Sequence, residues 1–175
     1  MRPKIAKALA EIEHGSELEA CEASKQLAGL DGQDVLAGLF RILRTSERFC
    51  SREAAAYALS WNKSRKAVTA LLMCASNAAE QDLVRGQAVE GLAIHLASDS
   101  VRSQLRRKAE DLMIEMLQFP SPMLRFWACY GLGRLGCQRA IPRLLKLKRE
   151  DRDVCPGWWY VWEEAEDAIE WIAGR

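Results

Sequence analysis

A short pattern recurs five times along this chain of 175 residues, and it limits the possible folds more than any other feature. Its fullest form is an arginine, an alanine three residues later and a leucine four residues after that, as in Arg125, Ala128 and Leu132. Successive anchor alanines are 32, 33, 40 and 37 residues apart, and they are Ala23, Ala55, Ala88, Ala128 and Ala165. A period of this length suits two helices and two turns for each copy. The pattern therefore predicts a stack of about five helical hairpins.

Composition supports helices and argues against an extensive sheet. The chain has 25 Ala and 22 Leu, against 8 Ile, 7 Val and 2 Thr, so strong helix formers far outnumber β-branched residues. Apolar periodicity and the positions of Gly and Pro predict ten helices. We expect them at residues 3–13, 17–28, 33–45, 50–61, 64–77, 82–97, 101–118, 122–135, 139–149 and 158–173.

One copy of the pattern carries a recognisable signature. The segment from Ser121-Pro122 through Gly133-Arg134-Leu135-Gly136, followed by Ala140-Ile141-Pro142-Arg143-Leu144-Leu145, resembles a unit of the HEAT-repeat superfamily, of the short type found in phycobilisome lyases. The resemblance implies an all-α fold, an α–α superhelix in the form of a right-handed solenoid of about five HEAT-like hairpins. We expect a single domain over residues 1–175, with units near 3–28, 33–61, 64–97, 101–135 and 139–173.

The repeat arginine is present in the three middle copies and absent from the first and last. Terminal units of a solenoid are usually atypical because they cap the stack. In the family, this arginine and an aspartate in the turn tie neighbouring units together. Asp82 precedes Arg85 at a suitable spacing, but Arg52 and Arg125 have no equivalent aspartate. A continuous ladder of Asp–Arg pairs is therefore not expected.

The candidate binding residues lie on the helices that carry the anchor alanines, which the resemblance places on the concave side of the superhelix. Positions −1, +2 and +6 relative to the alanine point away from its buried face. Five of these fifteen positions hold Trp or Tyr, although aromatic residues are only 7% of the chain. Aromatic and Arg side chains are common interface anchors, although these rings could instead pack as core. The candidate partner-binding residues are Tyr57, Trp61, Gln87, Glu90, Trp127, Tyr130, Arg134, Glu164, Asp167 and Trp171.

The segment before the last helix is the least repeat-like stretch of the chain. Four aromatic residues fall within residues 158–162. They could cover the end of the last unit, or they could extend the groove beside its acidic residues. Trp162 occupies the position of the repeat arginine, so covering is its expected role. For Trp158 and Trp159 both roles remain open.

Charge patterning indicates what kind of partner the groove takes. Net charge is +1 overall, but residues 31–150 carry +7 and residues 151–175 carry −5. Clusters of bases such as Arg106 and Arg107 fall on the outer helices. The groove positions are acidic on balance, with Lys25 and Arg134 against Glu22, Glu90, Glu164 and Asp167. An acidic groove suits a basic segment of another protein and argues against nucleic acid, whose phosphates need positive charge at the contact.

Other features bear on localisation. No window of 18 apolar residues exists, so no membrane association is expected. The N-terminus lacks a secretory signal pattern, and the six cysteines are widely spaced without a C-x-x-C pair. We interpret the chain as a cytoplasmic protein with reduced cysteines.

Residues that carry chemistry are few. The two histidines, His14 and His95, occupy unlike positions in different units, and the chain has no phosphate loop and no His-Glu pair. We therefore expect no metal, no cofactor and no catalysis. The predicted function is a non-catalytic protein–protein interaction module, either an adaptor or a bacterial immunity (inhibitor) protein. The alternative is a HEAT enzyme, resembling either a bilin lyase or a DNA glycosylase, for which Trp127, Trp171 and Asp167 would supply the rings and the carboxylate.

Overall fold

Residues 2–98 and 103–174 are described in the computed structural model, and they confirm the all-α prediction. This part of the chain contains no strand, and none of its helices is long and apolar enough to cross a membrane. A 3-10 turn, Gln138–Ala140, precedes the ninth helix. The helices are α1 (Pro3–His14), α2 (Glu17–Leu27), α3 (Gln33–Thr45), α4 (Phe49–Ser60), α5 (Arg65–Ser76), α6 (Asp82–Leu96), α7 (Gln104–Met116), α8 (Pro122–Leu135), α9 (Ile141–Glu150) and α10 (Val161–Ala173).

The predicted boundaries agree with the structure to within one residue for α1 to α6 and for α8. Residues 101–102 of the predicted 101–118 helix lie outside the described part, and α7 begins at Gln104. The prediction that the last helix begins at residue 158 is wrong. Gly157 has a φ of 83°, and Val154 and Tyr160 form an isolated antiparallel bridge, so residues 151–160 fold into a loop and α10 begins at Val161.

Local sequence signals explain why α8 starts and stops where predicted. The Ser121 side chain accepts a hydrogen bond from the Leu124 backbone N–H, and Pro122 follows at the first helical position. At the other end Gly136 adopts the left-handed conformation, with φ of 66°, that commonly ends a helix. These signals are local, which is why the sequence alone locates this helix.

The anchor alanines are fully buried, as the repeat pattern predicts. All five have 0% exposed surface. The leucines four residues later are also buried, with exposed fractions of at most 2% at Leu27, Leu59, Leu92 and Leu132. The pattern therefore marks the face that each of these helices packs into the core.

Close contacts group the chain into two compact units, Met1–Gly91 and Leu92–Arg175, called here the N-terminal and C-terminal units. In the N-terminal unit α1 packs on α2, α3 packs on α4, and α2 packs against α4. In the C-terminal unit α7 packs on α8, α9 packs on α10, and α8 packs against α10. Within each unit, hairpins thus stack through their second helices, as in a helical repeat.

Arg52, whose side chain is 15% exposed, connects successive turns in the N-terminal unit. Arg52 donates to the backbone carbonyls of Ser46 and Glu47 at 2.8 and 3.0 Å. The same guanidinium forms a two-bond ion pair with Glu80, in the turn that follows the next helix, with both bonds at 2.7 Å. Burial alone would raise the pKa of Glu80, but hydrogen bonds from Arg52 and Gln81 outweigh burial and lower it.

Arg125 repeats this arrangement in the C-terminal unit. It donates to the carbonyls of Phe119 and Pro120, six and five residues before it, at 2.8 and 2.7 Å. Its guanidinium also pairs with Asp151 at 2.7 Å and with Asp153 at 2.6 Å. We call each of these two arrangements an arginine clamp.

The third repeat arginine is bonded differently. Arg85 donates to the carbonyl of Ala75 at 3.0 Å and lies 3.8 Å from Asp82. Asp82 was the only turn acid that the sequence paired with a repeat arginine. Arg52 and Arg125 have no acid at that spacing, as the sequence indicates, but they have acidic partners in a later turn, 26 to 28 residues along the chain.

Candidate functional site

The predicted residues of the N-terminal unit form two separate pairs. The rings of Tyr57, which is half-buried, and Trp61, which is 47% exposed, have centroids 6.4 Å apart. Gln87 donates to Glu90 at 2.7 Å. Burial raises the pKa of Glu90, and the hydrogen bond from Gln87 opposes the shift. This unit thus presents one exposed ring and an internally satisfied polar pair.

The predicted aromatic residues of the C-terminal unit belong to a longer run of touching rings. Trp171 lies 5.9 Å from Tyr130, Tyr130 lies 5.6 Å from Trp127, and Trp127 lies 5.3 Å from Trp158, measured between ring centroids. The planes of these pairs are inclined by 79 to 82°, the edge-to-face geometry that aromatic pairs favour. We call the whole set the aromatic strip, and it consists of Phe126, Trp127, Tyr130, Trp158, Trp159 and Trp171.

The aromatic strip has a buried floor and exposed edges. Phe126 is 1% exposed and Trp127 is 9% exposed. By contrast, Trp158, Trp159 and Trp171 are 49%, 42% and 40% exposed. Three half-exposed tryptophans on neighbouring elements are unusual on a surface that has no binding role, because exposing grouped apolar side chains to water costs free energy. The strip is therefore the strongest candidate site in the C-terminal unit.

The loop of residues 151–160 fixes two of these rings. The Cys155 N–H donates to the Trp159 carbonyl at 3.0 Å, and the Trp158 N–H donates to the Cys155 carbonyl at 2.9 Å. The Val161 N–H donates to the Asp153 carbonyl at 3.0 Å, which closes the loop where α10 begins. Trp158 and Trp159 are thus held by backbone bonds, and both cover Phe126 while keeping much of their surface exposed.

The sequence left the roles of Trp158 and Trp159 open, and the structure places Trp158 against Trp127. Spacing on a helix could not reveal this contact, because residues 158 and 159 precede the helix. The available signal was Pro156-Gly157, which marks a turn. Trp162, expected to cover the last unit, is half-buried, with Tyr160 at 6.3 Å and the Arg152 guanidinium at 6.0 Å from its ring.

Glu164 is a buried carboxyl group beside the aromatic strip. It is 1% exposed, and its Oε1 atom has no hydrogen-bond partner among the described residues. Burial and the neighbouring charge of Asp167 raise the pKa of Glu164 to about 7, while a hydrogen bond with Trp159 opposes the shift. The group is therefore partly protonated near neutral pH.

Two of the predicted site residues are less accessible than their helical positions suggest. Trp127 and Glu164 were expected on the exposed face, but both are buried. A helical wheel considers one helix at a time, whereas here the 151–160 loop adds Trp158 and Trp159 to that face. Arg134 is exposed and Asp167 is half-buried, and neither forms an ion pair with another described residue.

A separate groove of about 920 Å³ lies between α3 and α5 in the N-terminal unit. Its lining includes the apolar side chains of Leu43 and Met73 and the cations Arg44 and Lys66, and none of the predicted site residues borders it. Among the described residues, no group of three His, Cys, Asp or Glu side chains is arranged to hold a metal ion.

The fold and repeat define an all-α superhelix built from helical hairpins. The sequence profile of HEAT repeats matches residues 3–93 and 79–155. The chain therefore belongs to the HEAT-repeat family, and the sequence-based resemblance is confirmed.

Solved structures share this fold, and one of them is similar over nearly the whole chain. It is the complex of CpcE and CpcF of phycocyanin lyase from Nostoc sp. PCC7120, similar with a TM-score of 0.76 and 19% sequence identity. The similarity covers 94% of this chain and 97% of that chain. It confirms the predicted superhelix, and at this identity it concerns the fold alone. None of the curated proteins matches this sequence.

Proposed function

We propose that this protein is a non-catalytic interaction module that binds another protein through its second helices, with the aromatic strip as the main contact. The observation that carries the proposal is the set of three exposed tryptophans, Trp158, Trp159 and Trp171, on one continuous run of rings. Tryptophan is among the commonest energetic anchors of interfaces, since it buries a large area with few rotatable bonds. The family also supports the proposal, because helical repeats provide extended binding surfaces.

The proposed partner presents a basic segment to this surface. Asp167 and Glu164 lie on α10 beside the strip, and Glu170 and Glu163 lie on the same helix. Away from the strip, Arg139 is paired with Glu110 and Asp111. The charged residues of α10 are all acidic, so negative charge predominates beside the strip even with the exposed Arg134 on α8. This distribution favours a basic protein segment over the phosphates of nucleic acid.

In the N-terminal unit, Tyr57 and Trp61 are proposed as a secondary contact, together with Gln87 and Glu90. They offer one half-exposed ring rather than three, so we expect them to contribute less binding energy. The biological role proposed for the module is that of an adaptor or of an immunity protein that inhibits its partner. A cytoplasmic location fits the six free cysteines.

Affinity capture with matched variants tests the proposal. The tagged protein is compared with Trp158→Ala/Trp171→Ala, which truncates two exposed rings, and with Met73→Ala/Leu145→Ala, which truncates exposed side chains on the outer helices α5 and α9. A protein retained by the wild type and the control pair, but lost by the tryptophan pair, is then purified and titrated by calorimetry. We expect the tryptophan pair to weaken binding by about 100-fold, since two anchor residues are removed.

Equal retention by all three proteins would refute the role of the aromatic strip. Circular dichroism and thermal unfolding of each variant show whether a loss reflects unfolding rather than a lost contact. Because the truncated rings are 40 to 49% exposed, we expect only small changes in the melting temperature.

An enzymatic role is the second candidate, favoured by the likeness to a chain of a phycocyanin lyase complex. The residues that would support a DNA-glycosylase-like reaction are Trp127, Trp171 and Asp167, and of these Trp127 is only 9% exposed. For the lyase-like role, a bilin incubated with the protein and an acceptor phycobiliprotein would become covalently attached, which absorbance of the denatured acceptor would reveal. No attachment is expected if the module only binds protein.

A further inference from the structure

Two carboxyl groups lie close together in the C-terminal unit without a basic partner among the described residues. Glu164 and Asp167 are three residues apart on α10, so they share one face of the helix. Their proximity is electrostatically unfavourable, and Glu164 also has a buried oxygen with no hydrogen-bond partner. An unpaired buried carboxylate costs several kcal/mol or takes up a proton instead. Such an arrangement is stabilised when a cation approaches.

The bases near α10 and its preceding loop do not supply that cation. Lys148 pairs with Glu166 at 2.7 Å, and Arg125 pairs with the two aspartates of the loop. Arg152 lies over the ring of Trp162. Each is engaged with a group other than Glu164 or Asp167. Arg134, on the packed helix α8, is exposed and forms no ion pair with either carboxyl group among the described residues. The two carboxyl groups are therefore left for a charge from outside the chain.

The rings beside these carboxyl groups specify which cation fits. The faces and edges of Trp158, Trp159 and Trp171 are accessible next to α10. A guanidinium group stacks on tryptophan, is less strongly hydrated than an ammonium group, and can donate two parallel hydrogen bonds to a carboxylate. An ammonium group has no flat face and keeps its water more firmly. The combination of rings and carboxylates therefore favours arginine over lysine.

We propose that the aromatic strip, Asp167 and Glu164 together form a binding site for an arginine side chain of the partner protein. Asp167, which is half-buried, is the carboxylate that an arriving guanidinium reaches first. Glu164, which is buried on the same helix, attracts the guanidinium through its charge. This inference rests on the proposed function, because it identifies the side chain that the same surface takes.

The groups around Glu164 give the site a characteristic pH dependence. Asp167 on its own helix, Cys129 on α8, and Cys155 and Trp159 in the loop are the neighbours that affect it or are affected by it. Burial, with the charge of Glu164 adding to it, raises the pKa of Cys129 and raises that of Cys155 to about 11, so both thiols stay neutral at physiological pH. Glu164 is thus the group in this site that gains negative charge between pH 6 and 8. Arginine should therefore bind more tightly at the higher pH.

A peptide titration tests the inference on the full-length protein. The probe is acetyl-Gly-Arg-Gly-amide, and the controls replace its arginine with citrulline, which has nearly the same shape and no charge, or with lysine. Tryptophan emission reports binding at 0.05 M salt. We expect saturable binding of the arginine peptide, affinity lower by about tenfold for Asp167→Asn, and no saturation with citrulline. Affinity should rise from pH 6 to pH 8 in the wild type and stay constant in Glu164→Gln.

The matched control variant is Trp61→Phe, which removes the exposed tryptophan of the N-terminal unit and should leave the titration unchanged apart from baseline emission. Equal binding of the citrulline or lysine peptide, or unchanged affinity in Asp167→Asn, would overturn the arginine assignment. The capture experiment separates this result from the proposed function. If the tryptophan pair variant still loses its protein partner, the surface binds protein but does not recognise arginine.

Discussion

The two arginine clamps use the same bonds to support different turns. In the N-terminal unit Arg52 reaches two backbone carbonyls and Glu80, and the turn it holds, residues 77–81, carries no aromatic side chain. In the C-terminal unit Arg125 reaches the equivalent carbonyls and two aspartates, and the loop it holds spans residues 151–160. That loop is twice as long, and it carries Trp158 and Trp159.

This difference shows where the repeat has been elaborated. A clamp is a structural device in both units, because it satisfies backbone carbonyls in the turn between the two helices of a hairpin. Long ordered loops in compact domains commonly have a binding role. We therefore propose a binding role for the 151–160 loop, whereas the 77–81 turn carries none of the candidate residues.

The largest expected effect is the loss of a clamp. Arg125→Ala leaves Asp151, whose side chain is 6% exposed, without its ion-pair partner. It also removes the hydrogen bonds that Arg125 donates to two backbone carbonyls. We expect the free energy of unfolding in urea to fall by about 3–4 kcal/mol. Arg52→Ala should cost about 2–3 kcal/mol, because Arg52 has one acidic partner rather than two and its side chain is 15% exposed rather than 10%.

The exposed Arg107 on α7 provides the control for removing an arginine. Arg107→Ala should change stability by less than about 0.5 kcal/mol. If Arg52→Ala destabilised the protein more than Arg125→Ala, the clamp of the C-terminal unit would not be the stronger one. Only Arg125→Ala should also increase quenching of tryptophan emission by acrylamide, since only that clamp holds tryptophans in place.

The second comparison concerns one carboxyl group in each unit whose pKa is raised by burial, Glu90 and Glu164. In the unfolded chain a glutamate has a pKa of about 4.5, whereas folding raises the pKa of Glu164 to about 7. Between these values the folded protein holds a proton that the unfolded chain has released. Stability therefore falls as the pH rises through this window, by about 3 kcal/mol at most.

Glu164→Gln should remove this loss, so that the difference in unfolding free energy between pH 5 and pH 8 becomes smaller than in the wild type. Glu90→Gln should change the difference in the same direction but less, because Gln87 stabilises the charged form of Glu90. Urea unfolding of the three proteins at the two pH values provides the measurement. An unchanged pH dependence in Glu164→Gln would contradict the burial of a titrating group there.

The fold could be predicted from the sequence because its determinants are local and repeated. The anchor alanine, the leucine one turn later and the cap of α8 lie within one or two helical turns of each other, so periodicity alone places them. The partners of Arg52 and Arg125 could not be found in this way. The acidic partners are 26 to 28 residues further along the chain, and only the packing of successive hairpins brings them close to the arginines.

The candidate site was predicted in part for the same reason. Tyr130 and Trp171 were found because they lie on helices at the spacing that faces away from the core. The environment of Glu164 depends on Trp159, and the contact of Trp127 with Trp158 depends on the path of a loop. Loop paths are set by backbone bonds and by Gly157 rather than by periodicity. Burial of Trp127 and Glu164 was therefore missed.

The smallest effect concerns glycines where helices approach closely, and it again contrasts the units. A Cβ atom at Gly133 on α8 would lie 2.8 Å from the backbone Cα of Ala168 on α10, which cannot move without separating the helices. A Cβ atom at Gly38 on α3 would instead meet the end of the flexible Leu9 side chain.

Alanine stabilises a helix by about 1 kcal/mol relative to glycine, whereas overpacking costs about 1–3 kcal/mol. We therefore expect Gly133→Ala to lower the unfolding free energy by about 1–2 kcal/mol and Gly38→Ala to leave it nearly unchanged. Urea unfolding measures both, and a neutral Gly133→Ala would mean that α8 and α10 are not in backbone contact.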